Sequence, residues 1–399
     1  MRRPPEVPQF LVFAVCAFAS GFALRIIDPL ILPIADAFAI TPAMAALLSS
    51  AYALPYAIAQ PFLGPLGDRF GKARCIQVCV AGMTVALLAG ALAPGFEWLL
   101  ATRIVAGIFA GGLIPLVLAG LGDAYDMMNR QVMIGRMLLA IITGQMLGSM
   151  VAGFANAAFG WRSAFWIAAA AAVLAAVLAW AAIGRPRPAP VITPVAAPVS
   201  FLGLYRHVFD NPKAVWLYAA VIGEGLLVFG VFPYVGPLLI ERTGSAVEAA
   251  SAQAGLALGA FGIGGLVYAV LVRRIIGWLG VRRMCLWGSS AVAALYAALT
   301  VLPFWWLHAL AMAGVGLSYY MLHNSLQTEA TELAPAARGS AVALFACGFF
   351  AGQGLGPPLF GAVSHALGSP AALLAAAAGL LLLGQLVVRK IIGPDLTAR

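Results

Sequence analysis

The sequence predicts an all-α integral membrane protein whose twelve transmembrane helices form two six-helix repeats. Of its 399 residues, 63% are hydrophobic and 9% are charged, whereas about a quarter of the residues of a soluble domain are charged. The apolar residues fall in long runs, and a bilayer-spanning helix needs about 20 such residues. A segment of the first half also recurs in the second half. These three features together predict a bundle of spanning helices.

Twelve apolar runs account for the predicted spans. The leader MRRPPEVPQ is not followed by a small-residue cleavage site, so we expect the first run to be a retained span rather than a signal peptide. The runs cover residues 9–35, 43–66, 75–95, 98–122, 131–156, 162–184, 214–239, 250–273, 281–302, 305–330, 338–366 and 369–390.

The positions of the basic residues predict how these spans are oriented. With a cytoplasmic N-terminus, 19 of the 23 Lys and Arg residues fall in cytoplasmic segments; Arg162 and Arg242 are external, and Arg25 and Arg103 lie inside spans. Basic residues concentrate on the cytoplasmic side of membrane proteins, so we expect both termini inside and a location in the inner (cytoplasmic) membrane. Contact with anionic lipid then explains the net charge of +9 without nucleic acid as a partner.

A proline-rich segment divides the chain near its middle. GRPRPAPVITPVAAPVS, from Gly184 to Ser200, contains five prolines and is typical of an extended linker. The amphipathic stretch FLGLYRHVFD that follows is suited to the membrane surface. We therefore expect an N-terminal six-helix bundle over 1–184, a cytoplasmic linker with an interfacial segment over 185–213, and a C-terminal six-helix bundle over 214–399.

The two predicted bundles share a sequence repeat. GQMLGSMVAGFANAAFG, which begins at Gly144, aligns with GQGLGPPLFGAVSHALG, which begins at Gly352, at a constant offset of 208 residues, and Arg130 pairs with Arg338 at the same offset. Two tandem six-helix halves are the layout of parallel-repeat secondary transporters. The matched positions of the first segment are Gly144, Gln145, Leu147, Gly148, Gly153, Ala158 and Gly160.

The cysteines predict neither a disulfide framework nor a metal site. The five residues, Cys16, Cys75, Cys79, Cys285 and Cys347, form no C-x-x-C pair and mostly lie in spans, where cysteine behaves as a small apolar residue. We accordingly expect no metal and no cofactor.

A charged, glycine-rich stretch stands out between the second and third spans. GPLGDRFGKAR runs from Gly64 to Arg74. It does not fit a phosphate-binding loop, because the glycine spacing is too long and Ala73 follows the lysine where Ser or Thr is needed. A basic turn would satisfy the positive-inside rule, but that rule explains neither Asp68 nor the glycines. The stretch resembles the G-x-L-[GA]-D-R-x-G-[RK]-x-[RK] signature of the major facilitator superfamily at the expected place.

This resemblance implies a conformational latch. Glycines allow two helices to approach closely, and an aspartate can face the positive end of a helix dipole. In the family, that helix is the eleventh, which here begins near Ala337. The contact holds the cytoplasmic ends of the two halves together while the cavity opens outward. The latch residues are Gly64, Gly67, Asp68, Arg69, Gly71, Lys72, Arg74 and Arg338.

Further patterns resemble the twelve-helix drug:proton antiporter branch of this superfamily. RIVAG, from Arg103 to Gly107, resembles a fourth-helix motif with Ala106 in place of the usual Gln. The fifth-helix antiporter motif matches in its glycines and departs from the family pattern at Ser149 and Ala152. GWRSAF, which begins at Gly160, is also usual before the sixth helix. The matching fifth-helix glycines are Gly135, Gly144, Gly148 and Gly153.

The remaining charged and polar residues inside the spans are the candidate site residues, because a charge at mid-membrane costs about 3 kcal/mol and is rarely retained without a role. They occur on the first, fourth, seventh and tenth predicted helices. In the family fold, these four helices line the central cavity. The candidates for proton coupling and the substrate cavity are Asp28, Arg25, Arg103, Glu224, His323, Asn324 and Gln327.

Structural roles remain open for several of these candidates. Arg25 and Asp28 are three residues apart, so they share one helix face and form a pair that neutralises itself. Arg103 is either a cavity residue that approaches Asp28 or a clamp on neighbouring backbone. Glu224 has no partner nearby in sequence, which favours a functional role. His323 serves equally as a structural histidine or as part of a proton relay.

We interpret the chain as a proton-coupled efflux antiporter for small organic compounds, apolar or cationic, that works by alternating access as a monomer. Its expected partners are the substrate, protons and membrane lipid. Asp28 is the first candidate for the coupling carboxylate and Glu224 the second. The alternative is a proton symporter or facilitator that imports a small, anionic metabolite gripped by Arg25 and Arg103. An enzyme is disfavoured, since the sequence contains no nucleophile–base pair and no nucleotide loop.

Overall fold

A computed structural model describes residues 9–124, 127–182, 206–334 and 337–392 of the chain. Throughout these ranges the regular structure is helical, and no strand occurs among the residues described. The prediction of an all-α membrane protein is therefore confirmed.

Six helices make up the first half of the bundle, and the first of them is interrupted. They are α1 (Gln9–Arg25 and Ile31–Ala37, joined by Asp28–Leu30), α2 (Pro42–Phe70), α3 (Lys72–Ala91), α4 (Phe96–Ala124), α5 (Met127–Phe159) and α6 (Arg162–Ala182).

The second half repeats this order. It comprises α7 (Lys213–Glu224, then Gly225–Phe229, Phe232–Tyr234 and Val235–Thr243), α8 and α9 (together Val247–Leu299), α10 (Trp305–Leu333), α11 (Arg338–Leu367) and α12 (Ser369–Lys390).

The number of spans is consistent with the twelve predicted. Ten of the described helices are long and apolar enough to cross a membrane. One of these, Val247–Leu299, has 53 residues, and as a straight helix it would extend about 80 Å, far beyond a bilayer core of about 30 Å. It is interrupted at Gly280, whose φ of 67° and ψ of 163° are not helical. We therefore count residues 247–279 as α8 and 281–299 as α9, and α10 completes the set.

Proline interrupts α1 and α7 at equivalent places. Asp28–Leu30 and Phe232–Tyr234 each form one turn of 3-10 helix, and the two turns are 204 residues apart. Each contains a proline, Pro29 or Pro233, which has no N–H to donate and disfavours the α conformation in the residue before it. The interruption is thus encoded locally in each half, and it leaves backbone groups free in the middle of the bundle.

Glycines bring α5 against α1 and α11 against α7 in the same way. Gly144 and Gly148 each lie against a carbonyl oxygen of α1, and Gly352 and Gly356 lie against the carbonyl oxygens of α7. A side chain at these positions would collide with the neighbouring backbone, so the close helix contacts require glycine. The repeat detected in the sequence is therefore a repeat of helix packing.

The stretch between α2 and α3 reverses the chain through a turn of one residue. Residues up to Phe70 are helical and α3 starts at Lys72, so Gly71 alone forms the turn. Its φ of 89° lies in the region that glycine adopts without strain. The turn between the two spans is therefore tight, and most of the signature lies on helix ends because one glycine suffices to reverse the chain.

The two halves approach each other most closely away from the termini. We call the side of the bundle where α1 begins and α12 ends the terminal face. Gly153 of α5 lies against the backbone of Ser251 in α8, and Gly354 of α11 lies against Leu54 of α2. These contacts fall in the part of each helix nearer the opposite face. At Gly135, nearer the terminal face, none of the described residues has an atom within 4 Å of where a side chain would begin.

The linker between the halves lies mostly outside the described residues. The structure describes the chain again from residue 206, and Lys213 begins α7. The division into bundles over 1–184 and 214–399 therefore remains a proposal, which the packing repeat supports.

Candidate substrate and proton site

An ion pair occupies the interruption of α1. Arg25 is the last residue of the first segment, and Asp28 begins the 3-10 turn. Arg25 Nη1 lies 3.4 Å from Asp28 Oδ2, and both side chains are more than nine-tenths buried. Asp28 also accepts a hydrogen bond of 2.9 Å from the Ser49 hydroxyl of α2. The carboxylate is therefore held by one charged donor and one neutral donor.

Arg25 also reaches into the second half. Its Nη2 donates to Gln353 Oε1 of α11 at 3.0 Å. Its guanidinium carbon lies 4.2 Å from the centroid of Phe229 and 5.1 Å from that of Phe232, distances at which a cation is attracted to an aromatic ring. Arg25 thus joins a carboxylate of its own half to an amide and two rings of the other half.

Hydroxyl groups bind the carbonyls that the interruption leaves free. The Ser149 hydroxyl of α5 donates to the carbonyl of Arg25 at 3.2 Å. The Ser251 hydroxyl of α8 donates to the carbonyl of Pro29 at 2.8 Å. Buried carbonyls need such partners where the helix does not supply them. The second of these bonds also crosses between the two halves.

Small cavities lie on both sides of the Arg25 side chain. One is bordered by Asp28, Ser49 and Gln353, and the other by Ser149 together with apolar and aromatic residues such as Phe261. The Gln353 amide nitrogen is buried and has no hydrogen-bond partner among the described residues. The site therefore holds a donor that can serve an additional oxygen atom.

A second charged pair lies in the C-terminal half. Glu224 ends the first segment of α7 and is fully buried, and its Oε2 lies 2.9 Å from His323 Nδ1 of α10. The other oxygen, Oε1, has no partner among the described residues. Glu224 appeared unpaired in the sequence because its partner is 99 positions away. The structure joins these two predicted candidates.

Aromatic rings connect the two pairs. The Phe229 ring beneath Arg25 meets Tyr319 edge-on at 5.2 Å. Tyr319 in turn stacks on His323 at 5.0 Å. The arginine of one half and the histidine of the other are therefore separated by two rings in contact, so a change at one pair can displace the packing of the other.

Arg103 of α4 binds backbone rather than Asp28. Its guanidinium donates to three carbonyls, at 2.9 Å to Ala23, 3.4 Å to Leu24 and 3.4 Å to Leu48. Its guanidinium carbon lies 4.2 Å above the Tyr52 ring. The side chain is 1% exposed. These contacts support the structural-clamp interpretation, because Arg103 holds the end of α1 next to its interruption.

The other predicted residues lie apart from the two pairs or outside the described side chains. Asn324 and Gln327 of α10 are half-buried. The Asp68 side chain lies outside the described residues, so its latch contact does too. Arg69 and Arg74 are exposed, and the Arg338 side chain donates to the Thr331 carbonyl at 2.9 Å.

Sequence reasoning missed the residues that complete the first pair. Gln353 was noted only as a match in the repeat, and its identity with Gln145 was the signal that could have marked it. Ser49 and Ser251 carry no such signal, since single hydroxyls are common in spanning helices. Their role follows only from the three-dimensional approach of α2 and α8 to the interruption of α1.

The fold and these buried charges, held between two six-helix halves, are those of a multi-pass membrane transporter. The sequence pattern of the Major Facilitator Superfamily matches residues 13–345. The chain therefore belongs to this superfamily.

Known relatives agree with this assignment. The chain is 26% identical over 355 residues to the uncharacterized MFS-type transporter YceJ of Bacillus subtilis, and the alignment covers 88% of each protein. It is 35% identical over 120 residues to the triacylglyceride transporter Rv1410c of Mycobacterium tuberculosis, which is 29% of this chain and 23% of that protein.

Solved structures show the same fold. The nucleoside transporter NupG superposes with a TM-score of 0.78 at 14% identity, covering 96% of this chain and all of that one. A bacterial homologue of the human lysosomal transporter Spinster superposes with a TM-score of 0.77 at 18% identity, covering 98% of each chain.

The contacts of Arg103 lead to a stability prediction. Arg103→Ala removes three hydrogen bonds from one buried cation, each contributing about 1.5 to 3 kcal/mol where a charged group takes part. We expect a lower melting temperature and a lower yield of purified protein, with transport falling in parallel. Thermal unfolding in detergent measures the effect.

Arg162→Ala is the matched control for this change. Arg162 also donates to a carbonyl, that of Ala93 at 2.9 Å, but it is exposed near the opposite face, so its removal should alter the melting temperature little. Loss of transport in Arg103→Ala with an unchanged melting temperature would contradict the clamp and place Arg103 at the substrate.

Proposed function

We propose that the protein is a proton-coupled antiporter that exports small organic compounds, apolar or cationic, by alternating access. The single observation that carries this proposal is the buried Arg25–Asp28 pair at the interruption of α1, linked to Gln353 of the other half. A titratable carboxylate at the junction between two moving bodies can connect its protonation to their arrangement. Asp28 is the proposed coupling carboxylate.

Protonation would act through Arg25. With Asp28 charged, the guanidinium has a counter-charge and is placed against Gln353 and the Phe229 ring. With Asp28 neutral, a buried cation loses its partner, which is unfavourable in an apolar site. The neutral state is therefore favoured where water reaches Arg25 and the two halves separate around it. Proton binding thus favours separation of the two halves at the contact between Gly153 and Ser251.

The orientation of the protein gives this movement a direction. We propose that both termini are cytoplasmic, in the inner membrane of the cell, because most basic residues then lie inside. The contact between Gly153 and Ser251 lies near the external face in that orientation. The structure then corresponds to a state closed to the outside, with Asp28 charged after releasing its proton inward. We also propose that the transporter acts as a monomer surrounded by lipid.

The cytoplasmic latch belongs to the opposite state. We propose that Asp68 faces the start of α11 when the cytoplasmic ends close, so Asp68→Asn should depopulate the outward-open state while folding and insertion are retained. Distances between spin labels on the cytoplasmic ends of the two halves measure this population. Distance distributions identical to those of the wild type would rule out the latch.

Proton symport of an organic anion is the second candidate function. One observation favours it: Arg25 and the unpartnered amide nitrogen of Gln353 both border a cavity and could together hold a carboxylate. The direction of transport distinguishes the two functions. A deletion strain that becomes sensitive to toxic compounds supports export, and one that loses growth on a single nutrient supports import.

The role of Asp28 leads to a transport prediction. Asp28→Asn fixes the neutral state, so an imposed pH gradient should no longer drive transport, whereas exchange of substrate for substrate should survive. We expect proteoliposomes with the wild-type protein to move ethidium against its gradient when a pH gradient is applied. Fluorescence of entrapped dye measures this movement.

Glu224→Gln provides the comparison within the same assay. If Asp28→Asn keeps full pH-driven transport and Glu224→Gln loses it, the coupling carboxylate is Glu224 and the assignment to Asp28 is wrong. Melting temperatures of both variants, measured in parallel, separate loss of coupling from loss of folding.

A further inference from the structure

Arg25 lies between two glutamines that occupy equivalent places in the two halves. Gln145 of α5 and Gln353 of α11 are 208 residues apart, which is the offset of the sequence repeat. A side chain at Gly21 of α1 would begin 3.4 Å from the backbone nitrogen of Gln145. In the other half, a side chain at Gly225 of α7 would begin 3.0 Å from the backbone nitrogen of Gln353. Each glutamine therefore stands beside the interrupted helix of its own half.

The structure shows Arg25 bound to one of these two amides. Its Nη2 donates to Gln353 Oε1 at 3.0 Å, across the boundary between the halves. The Gln145 side chain is half-buried and forms no hydrogen bond with another described residue, yet it borders the same cavity as Arg25. One acceptor for the guanidinium is thus in use, and an equivalent acceptor is left over in the N-terminal half.

The geometry of α1 favours an approach of Arg25 to Gln145. Side chains of an α-helix incline toward its N-terminus, and for Arg25 this direction leads to Gly21, one turn earlier on the same face. A side chain at Gly21 would begin 3.3 Å from Gln145 Cγ, so the glutamine lies next to that place. Because Gly21 has no side chain, it leaves the space between the guanidinium and the amide free.

The other polar residues around this cavity do not offer the same acceptor. Ser149 already donates its hydroxyl to the carbonyl of Arg25, and Tyr320 belongs to α10 of the opposite half. A movement of one half against the other separates Arg25 from Gln353 and from Tyr320. The same movement leaves Gln145 beside Arg25, because α1 and α5 belong to one half.

We propose that Gln145 is a positioning residue that receives Arg25 when the two halves separate around it, in exchange for Gln353. A buried cation that loses its acceptor is unfavourable, and Gln145 Oε1 replaces the lost hydrogen bond within the N-terminal half. The exchange lowers the free energy of the separated state relative to the described one. It rests on the alternating access of the proposed function, and neither the substrate nor the proton enters it.

The same chemical change at the two glutamines tests this exchange. A carboxylate binds a guanidinium more strongly than an amide does. Gln145→Glu should therefore favour the state in which Arg25 stays with its own half, and Gln353→Glu should favour the described state. A residue that only fills space would not give opposite effects at the two equivalent positions.

Spin-label distances in the purified full-length protein measure the two states. The labels are placed at Phe70→Cys at the end of α2 and Arg283→Cys on α9, two exposed positions near the terminal face, which approach each other when the opposite face opens. We expect the ratio of short to long distances to rise about tenfold with Gln145→Glu and to fall about tenfold with Gln353→Glu.

Two leucine variants provide the controls. Gln77 is buried, and its amide nitrogen donates to the Ala179 carbonyl at 3.1 Å. This bond joins α3 and α6 within one half, so Gln77→Leu should leave the distance ratio unchanged. Gln145→Leu removes the second acceptor of Arg25 and should lower the ratio, in the direction opposite to Gln145→Glu. Melting temperatures establish that each variant is folded.

The outcomes separate this inference from the proposed function. The exchange is overturned if Gln145→Glu leaves the ratio unchanged in folded protein, or if Gln145→Glu and Gln353→Glu shift it in the same direction. If the shifts are opposite but no pH gradient drives ethidium in proteoliposomes, the exchange stands and the antiport function fails. If pH-driven transport is present and the ratio does not respond to Gln145→Glu, the function stands and the exchange fails.

Discussion

Arg25 and Asp28 carry opposite charges on side chains that are more than nine-tenths buried, and each is the counter-ion of the other. Removing one partner of such a buried pair costs about 3 to 5 kcal/mol. The pair also forms where α1 is interrupted, so its neighbours include backbone carbonyls that hydroxyls from other helices must bind. Charge, helix interruption and contact between the halves therefore depend on one another.

The pseudo-symmetry of the molecule shows how this arrangement is specialised. At an offset of 204 residues, Arg25 and Asp28 of α1 correspond to Phe229 and Phe232 of α7. The N-terminal half thus carries a charged pair where the C-terminal half carries an aromatic pair, and the guanidinium packs on both rings. The two halves thus share an interrupted first helix and differ in the side chains at the interruption.

Much of the fold could be predicted because the bilayer imposes simple rules. Span lengths, the uneven distribution of basic residues and the repeat at Gly144 and Gly352 are all visible in the sequence. Which glycine reverses the chain between α2 and α3 was not, since Gly64, Gly67 and Gly71 can each adopt a turn conformation. Pro29 and Pro233 encode the interruptions of α1 and α7 locally, but they are 204 residues apart and so are not matched by the sequence repeat, whose offset is 208.

The candidate site was predictable as a set of residues and not as a set of contacts. The sequence identified its candidates by charge, because a charged side chain inside a span raises the free energy of the folded protein and is therefore rare. These candidates are Arg25, Asp28, Arg103 and Glu224. Which charge meets which partner depends on helix rotation and depth, and these are decided by packing across the bundle. Arg103 accordingly binds backbone instead of Asp28, and Glu224 meets a histidine from a distant helix.

The central claim is that protonation of Asp28 decides which face of the bundle is open. Spin-label distances between Phe70→Cys at the end of α2 and Arg283→Cys on α9, two exposed positions near the terminal face, test it most directly. On lowering the pH, the otherwise wild-type protein should shift toward shorter distances as the terminal face closes, whereas Asp28→Asn should give one distribution at every pH, weighted toward the short distances. Wild-type distances that do not change with pH, or a pH-dependent shift that persists in Asp28→Asn, would contradict the account.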